Sequence, residues 1–262
     1  MKVAVVGKYV ELRDAYLSVK EAVIHAGIFH DVEPEILWVH SEEMNDSNCE
    51  SMLRGVDAVI VPGGFGERGF EGKVCAAKYA REHKIPYLGL CLGMQVMVVE
   101  AARDALGTDA VNSTENDPET PNPVISMLSE QLGIEDKGGT MRLGSYPCKL
   151  LPGTKAYAAY GVDEVRERHR HRYEFNNAYK DLLENWGMVF SGTSPDGSLV
   201  EISEVANHPY MLGTQFHPEF RSRPDRPHPL FRGLIGAAKE HAAGSWQGSE
   251  NAVVATSPSG VA

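Results

Sequence analysis

Apolar positions along the chain keep two rhythms. Lys2 to Val6 is a β-branched run that stops at Gly7, and Glu35 to Val39, Val56 to Val61 and the stretch from Pro86 into Cys91 are similar short runs. Such runs predict buried strands. Between them the period lengthens. Leu12, Tyr16, Val19, Val23 and Ala26 recur at helical spacing with Gly27 as the predicted stop, and helices are also predicted over Glu71 to His83 and Met94 to Leu106. Strand, helix, strand, strand, helix, strand, helix predicts an α/β fold, with a mostly parallel central sheet flanked by helices on both faces. Crossovers of that kind are right-handed. Ligands then bind beyond the carboxyl ends of the strands. Pro62-Gly63-Gly64-Phe65-Gly66 and Cys91 both stand at such ends.

The second half is less regular. Thr108 to Asn122 is polar and reads as a long loop, and the Gly-rich stretch Gly138 to Gly144 opens a strand that runs to Leu151. Arg166 to Asn176 alternates charged and aromatic residues and should be extended or irregular. Met188 to Thr193 and Ser198 to Ile202 flank Ser194-Pro195-Asp196-Gly197, a hairpin turn signal. Tyr210 to Phe216 is the last predicted strand and Pro229 to Ala243 the closing helix. After Gly244 the tail lacks periodicity. The reading is one domain over 1–243 and a disordered tail over 244–262.

Composition narrows the partners. Lys+Arg 25 against Asp+Glu 36 gives a net charge of −11, which offers no electrostatic case for nucleic acid or an anionic membrane. The four cysteines show no C-x-x-C and no zinc spacing, so no metal site and no disulfide framework is expected, and a reducing cytoplasm is the better fit. No apolar run is long enough to span a bilayer, and no leader precedes the first strand. A chain that enters a core strand at residue 2 reads as the excised half of a longer protein.

The chemistry centres on Gly89-Leu90-Cys91-Leu92-Gly93-Met94-Gln95. A buried strand, Gly-x-Cys-x-Gly and an apolar helix form the pattern of a nucleophile elbow with sulfur in place of oxygen. The turn lifts the thiol clear of the sheet, and the helix N-terminus favours the reactive thiolate. The alternative is a small buried hydrophobe, the ordinary fate of a free cysteine. A thiol nucleophile needs a base and an orienter. His217 and Glu219 follow a strand two residues apart, and an extended chain would put both side chains on one side; either could also be an ordinary turn residue. Leu92 N–H and Gly64 N–H are the candidate oxyanion donors. The Gly63–Gly66 run lacks the Gly-Lys-Ser/Thr of a phosphate loop.

These strings resemble the class I glutamine amidotransferases, whose fold is flavodoxin-like. Gly7 to Ser18, Asn112 to Glu115, Gly139 to Gly144 and Arg168 to Asn176 are similar to the glutaminase halves of the CTP synthase family, over about Lys2 to Ala242. The resemblance implies glutamine hydrolysis by a Cys91, His217, Glu219 triad through a thioester, with ammonia used to aminate UTP to CTP. It implies that Gly64, Leu92, Gly93, Met94, Gln95, Glu115 and Arg172 surround L-glutamine. Physically, Glu115 can meet the α-ammonium and Arg172 can fork onto the α-carboxylate. It further implies an N-terminal synthetase half that binds ATP, UTP and magnesium and is absent from this chain, and a homotetrameric full-length enzyme. GTP is implied as activator, with Thr140 and Arg142 in the candidate activation loop. No cofactor is expected in this domain. His169 and His171 read as structural.

Overall fold

The computed structural model describes residues 1–127 and 141–244. All of the predicted tail beyond Gly244, and Thr140 of the candidate loop, lie outside the described residues. The first half builds β1 (Lys2–Gly7), α1 (Leu17–Phe29), β2 (Glu35–His40), α2 (Cys49–Leu53), β3 (Ala58–Val61), α3 (Phe70–Glu82), β4 (Tyr87–Leu90) and α4 (Leu92–Leu106). The second half adds β5 (Asn112–Ser113), β6 (Pro123–Met127), β7 (Arg142–Leu150), α5 (Lys155–Tyr160), β8 (Glu164–His171), β9 (Tyr173–Phe175), α6 (Lys180–Trp186), β10 (Met188–Thr193), β11 (Val200–Val205), β12 (Met211–Thr214) and α7 (Pro229–Ala242).

Nine strands form one sheet in the order β2-β1-β3-β4-β12-β11-β10-β7-β8. Its first five strands are parallel, and from β12 onward the pairing is antiparallel. The parallel part is the one the sequence rhythm announced; the antiparallel wing extends it. A separate three-stranded sheet pairs β5, β6 and β9.

Both faces of the parallel part are covered, which is why its strands read as unbroken apolar runs. Val3 and Val5 of β1 face a core built with α1, α5 and α7. Ala4 and Val6 face the core of α2, α3, α4 and α6. Among the described residues no helix is long and apolar enough to cross a membrane.

Several boundaries differ from the sequence reading. Gly27 does not stop α1; the helix runs through it to Phe29, and the chain turns at Asp31 with φ +54°. A 3-10 turn over Arg13–Tyr16 takes the start of the predicted helix. The polar stretch after α4 holds the short strand β5, whereas the alternating run from Arg166 is extended as expected, strand almost throughout. In β8, Arg166, Arg168 and Arg170 face out, while Glu167, His169 and His171 are buried.

Candidate active site

Cys91 forms the bend between β4 and α4, with φ +53° and ψ −101°. That backbone region is strained for a residue with a side chain, and such strain collects at functional sites. The bend is held by its neighbours. Cys91 N–H donates to the Thr214 carbonyl of β12 at 2.7 Å, and Tyr87 Oη donates to the Gly93 carbonyl at 2.8 Å. Gly89 and Gly93 permit the close approach of strand and helix: a Cβ on Gly89 would lie 2.5 Å from the Gly93 carbonyl. Met94 and Gln95 N–H donate back to the Cys91 carbonyl. Leu92 N–H is one of the first-turn groups that a helix cannot pair from within.

His217 comes three residues after β12, and its N–H donates to the Arg168 carbonyl of β8 at 2.8 Å. The His-Pro-Glu triplet is not extended, as its spacing had suggested. Pro218–Arg221 is a 3-10 turn, since proline's fixed φ suits a helical start. The turn still brings Glu219 Oε1 to 2.7 Å from His217 Nδ1. A Cβ on Gly63 would lie 2.7 Å from His217 Cε1 and 3.6 Å from Cys91 Cβ, so imidazole and thiol lie against the same glycine. Burial by itself pushes the imidazole down, but hydrogen bonds to Cys91 and Glu219, with their charges, outweigh it and take His217 up to about 10.

Gln215 was not foreseen. Its Nε2 donates to Cys91 Sγ at 3.7 Å, and its Oε1 accepts from Gln95 Nε2 at 3.2 Å. The signal available in sequence was its place two residues before His217. Gln95 also donates to the Tyr173 carbonyl, so this expected substrate residue bridges helix, strand and thiol surroundings.

Gly64, Phe65, Cys91, Gln95, Glu115, His171, Arg172 and Tyr173 line one recess of about 10 Å³. Glu115 Oε1 accepts from Gly66 N–H at 2.9 Å. Burial raises the Glu115 carboxyl, and the Gly66 hydrogen bond and the charges of Lys8, Arg172 and Lys73 pull it back. Leu92 packs its side chain on Gly64. Gly93 and Met94 do not line the recess. Gly93 abuts the Val61 carbonyl and Met94 packs on Gly213, so they meet the site only through backbone. On the other side of the sulfur, a second space of about 230 Å³ runs past Tyr9, Tyr16, Gly63, Arg170, His217 and Phe220. A cavity of about 680 Å³ beside Cys75, Glu100 and Arg103 holds none of the expected site residues.

Arg142 does not stand free in a loop. It opens β7 and pairs with Glu174 at 3.1 Å and Glu201 at 2.8 Å. His169 Nδ1 and His171 Nε2 lie 3.0 Å apart. Burial, together with the Arg142 charge, pushes His169 down to about 2 and His171 down to about 3, so both are neutral, in keeping with a structural role.

The family model for class-I glutamine amidotransferases matches residues 11–237. The chain therefore belongs to that family. Within it, the chain is similar to the glutaminase domain of CTP synthase. CTP synthase of Roseiflexus castenholzii is 61% identical over 241 residues, covering 92% of this chain and 43% of the relative. The enzyme of Rubrobacter xylanophilus is 62% identical over 238 residues, covering 90% of this chain and 43% of the relative. The glutaminase domain of Trypanosoma brucei CTP synthase, solved with bound acivicin, superposes with a TM-score of 0.85 at 37% identity, covering 92% of this chain and 94% of that one. The chain thus spans less than half the length of the curated relatives it matches.

Proposed function

We propose that this chain hydrolyses L-glutamine to glutamate and ammonia, with Cys91 as nucleophile, His217 as acid and base, and Glu219 as orienter. The observation that carries the reading is the convergence of a strained cysteine elbow and a carboxylate-held imidazole on one glycine, Gly63. The thiolate attacks the side-chain amide carbon. Gly64 and Leu92 N–H receive the oxyanion. Protonated His217 gives its proton to the departing nitrogen, and ammonia leaves a glutamyl thioester. Neutral His217 then takes a proton from water, the hydroxide displaces sulfur, and glutamate departs. Glu115 meets the substrate ammonium and Arg172 its carboxylate.

Ammonia then serves a synthetase half that lies outside this chain, binds ATP and magnesium, and aminates UTP to CTP. That enzyme works in the cytoplasm as a homotetramer and answers to GTP. Thr140 and Arg142 are the candidate GTP-responsive residues, and Arg142 holds ion pairs with Glu174 and Glu201. Cys91→Ala in the full-length enzyme tests the division of labour. Glutamine-dependent CTP formation should vanish while ammonia-dependent formation persists; joint loss of both would refute it.

A further inference from the structure

Lys73, the fourth residue of α3, is 1% exposed, although lysine is almost never fully buried unless paired. The acidic groups that act on its ammonium, Glu42 and Glu115, do so through their charge, with no side-chain hydrogen bond to it among the causes of its shift. Burying a cation opposes folding, and an apolar side chain of similar volume would serve the core better. The fold gives no reason for this lysine, but the site does. A Cβ on Gly64 would lie 3.8 Å from Lys73 Nζ, 4.0 Å from Lys8 Cε and 3.4 Å from Leu92 Cδ2. The side chains of one candidate oxyanion donor and of two lysines therefore crowd one face of Gly64. Lys8 Nζ donates to the Phe65 carbonyl, one peptide further on.

We propose that Lys73 is a positioning residue of the glutaminase site. With Lys8 it supports the strip from Gly63 to Phe65, and it sets a buried positive charge beside Gly64, whose N–H is a proposed oxyanion donor. A fixed charge aimed at developing negative charge acts strongly in a water-poor site. The charged groups that face it come from four segments: Lys8 after β1, Glu42 after β2, Arg68 before α3 and Glu115 after β5. Burial, then Lys8, lowers Lys73 to about 8, with Arg68 adding to the fall and Glu42 and Glu115 opposing it. The charge is present below that pH and lost above it.

The inference rests on the glutaminase reading, and one experiment separates the two. In the full-length enzyme, kcat and KM for glutamine hydrolysis are measured from roughly pH 6 to 10 for wild type, Lys73→Met and Lys73→Arg, with Tm alongside. Lys73→Met should lower kcat about tenfold at neutral pH and leave KM within about twofold. Its Tm should be equal or higher, and the alkaline fall in kcat near pH 8 should disappear. Lys73→Arg should recover most of kcat. Wild-type kcat and pH profile in Lys73→Met would overturn the proposal. So would kcat and Tm falling together, which is the mark of a purely structural residue. A wild-type enzyme without glutaminase activity would overturn the underlying reading as well.

Discussion

An imidazole set between a carboxylate and a thiol keeps its proton to higher pH than a free one, and His217 is set in that way. Its folded-state value of about 10 lies above the ordinary 6.5. The stability it contributes is therefore complete below the ordinary value and lost as pH rises through about 10. On the proposed mechanism, a proton is then already in place for the leaving nitrogen at neutral pH. In Cys91→Ala one of the two supports is gone, so the ring should titrate well below its wild-type value. Histidine ring resonances followed against pH check this; an unchanged titration would mean that Glu219 alone sets it. Cys91, His217 and Glu219 were legible in the sequence because each stands in a short local pattern. Gln215, Lys8 and Lys73 were not, because their contacts arise only where β1, β12 and α3 converge on the glycine strip. The ion pairs of Arg142 were hidden for the same reason, since Glu174 and Glu201 come from β9 and β11.

The elbow works as a joint between elements. α4 lies so close to the sheet that a methyl at Gly93 would run into the Val61 carbonyl of β3. Gly93→Ala should therefore shift the helix start, destabilise the domain by about 1–3 kcal/mol, and lower glutamine hydrolysis by moving the Leu92 N–H. A urea midpoint and a kcat measurement on one preparation check both effects. Periodicity exposed the long elements because thirteen or fifteen residues repeat it several times, as in α1, α3 and α4. It missed α2, α5 and α6, of five, six and seven residues, where about two turns at most leave little pattern to see. Gly27 was misread because a glycine inside a helix can serve close packing; a Cβ there would press on Pro34.

Across the whole molecule, the parallel part presents the Cys91 thiol and the antiparallel wing completes its surroundings. Arg142 of β7 ties Glu174 of the small sheet to Glu201 of the large one, joining the two behind the site. The outward arginines of β8 lead along the wing to Arg172 at the recess, and this resolves a basic run in an acidic chain. Continuous apolar strands revealed the parallel part, and the Ser194–Gly197 turn revealed the β10–β11 hairpin, whereas the pairing of β7 with β10 joins segments far apart in the chain. The recess beside Glu115, at about 10 Å³, has room for about one water molecule. A substrate-sized guest enters through the roomier space of about 230 Å³ past Tyr9 and His217, and its amino-acid end must then wait for the recess wall to part. Thiol labelling by a glutamine-mimicking electrophile should level off at high reagent concentration, because a breathing motion rather than collision sets its ceiling; labelling that stays proportional to concentration would show an already open door.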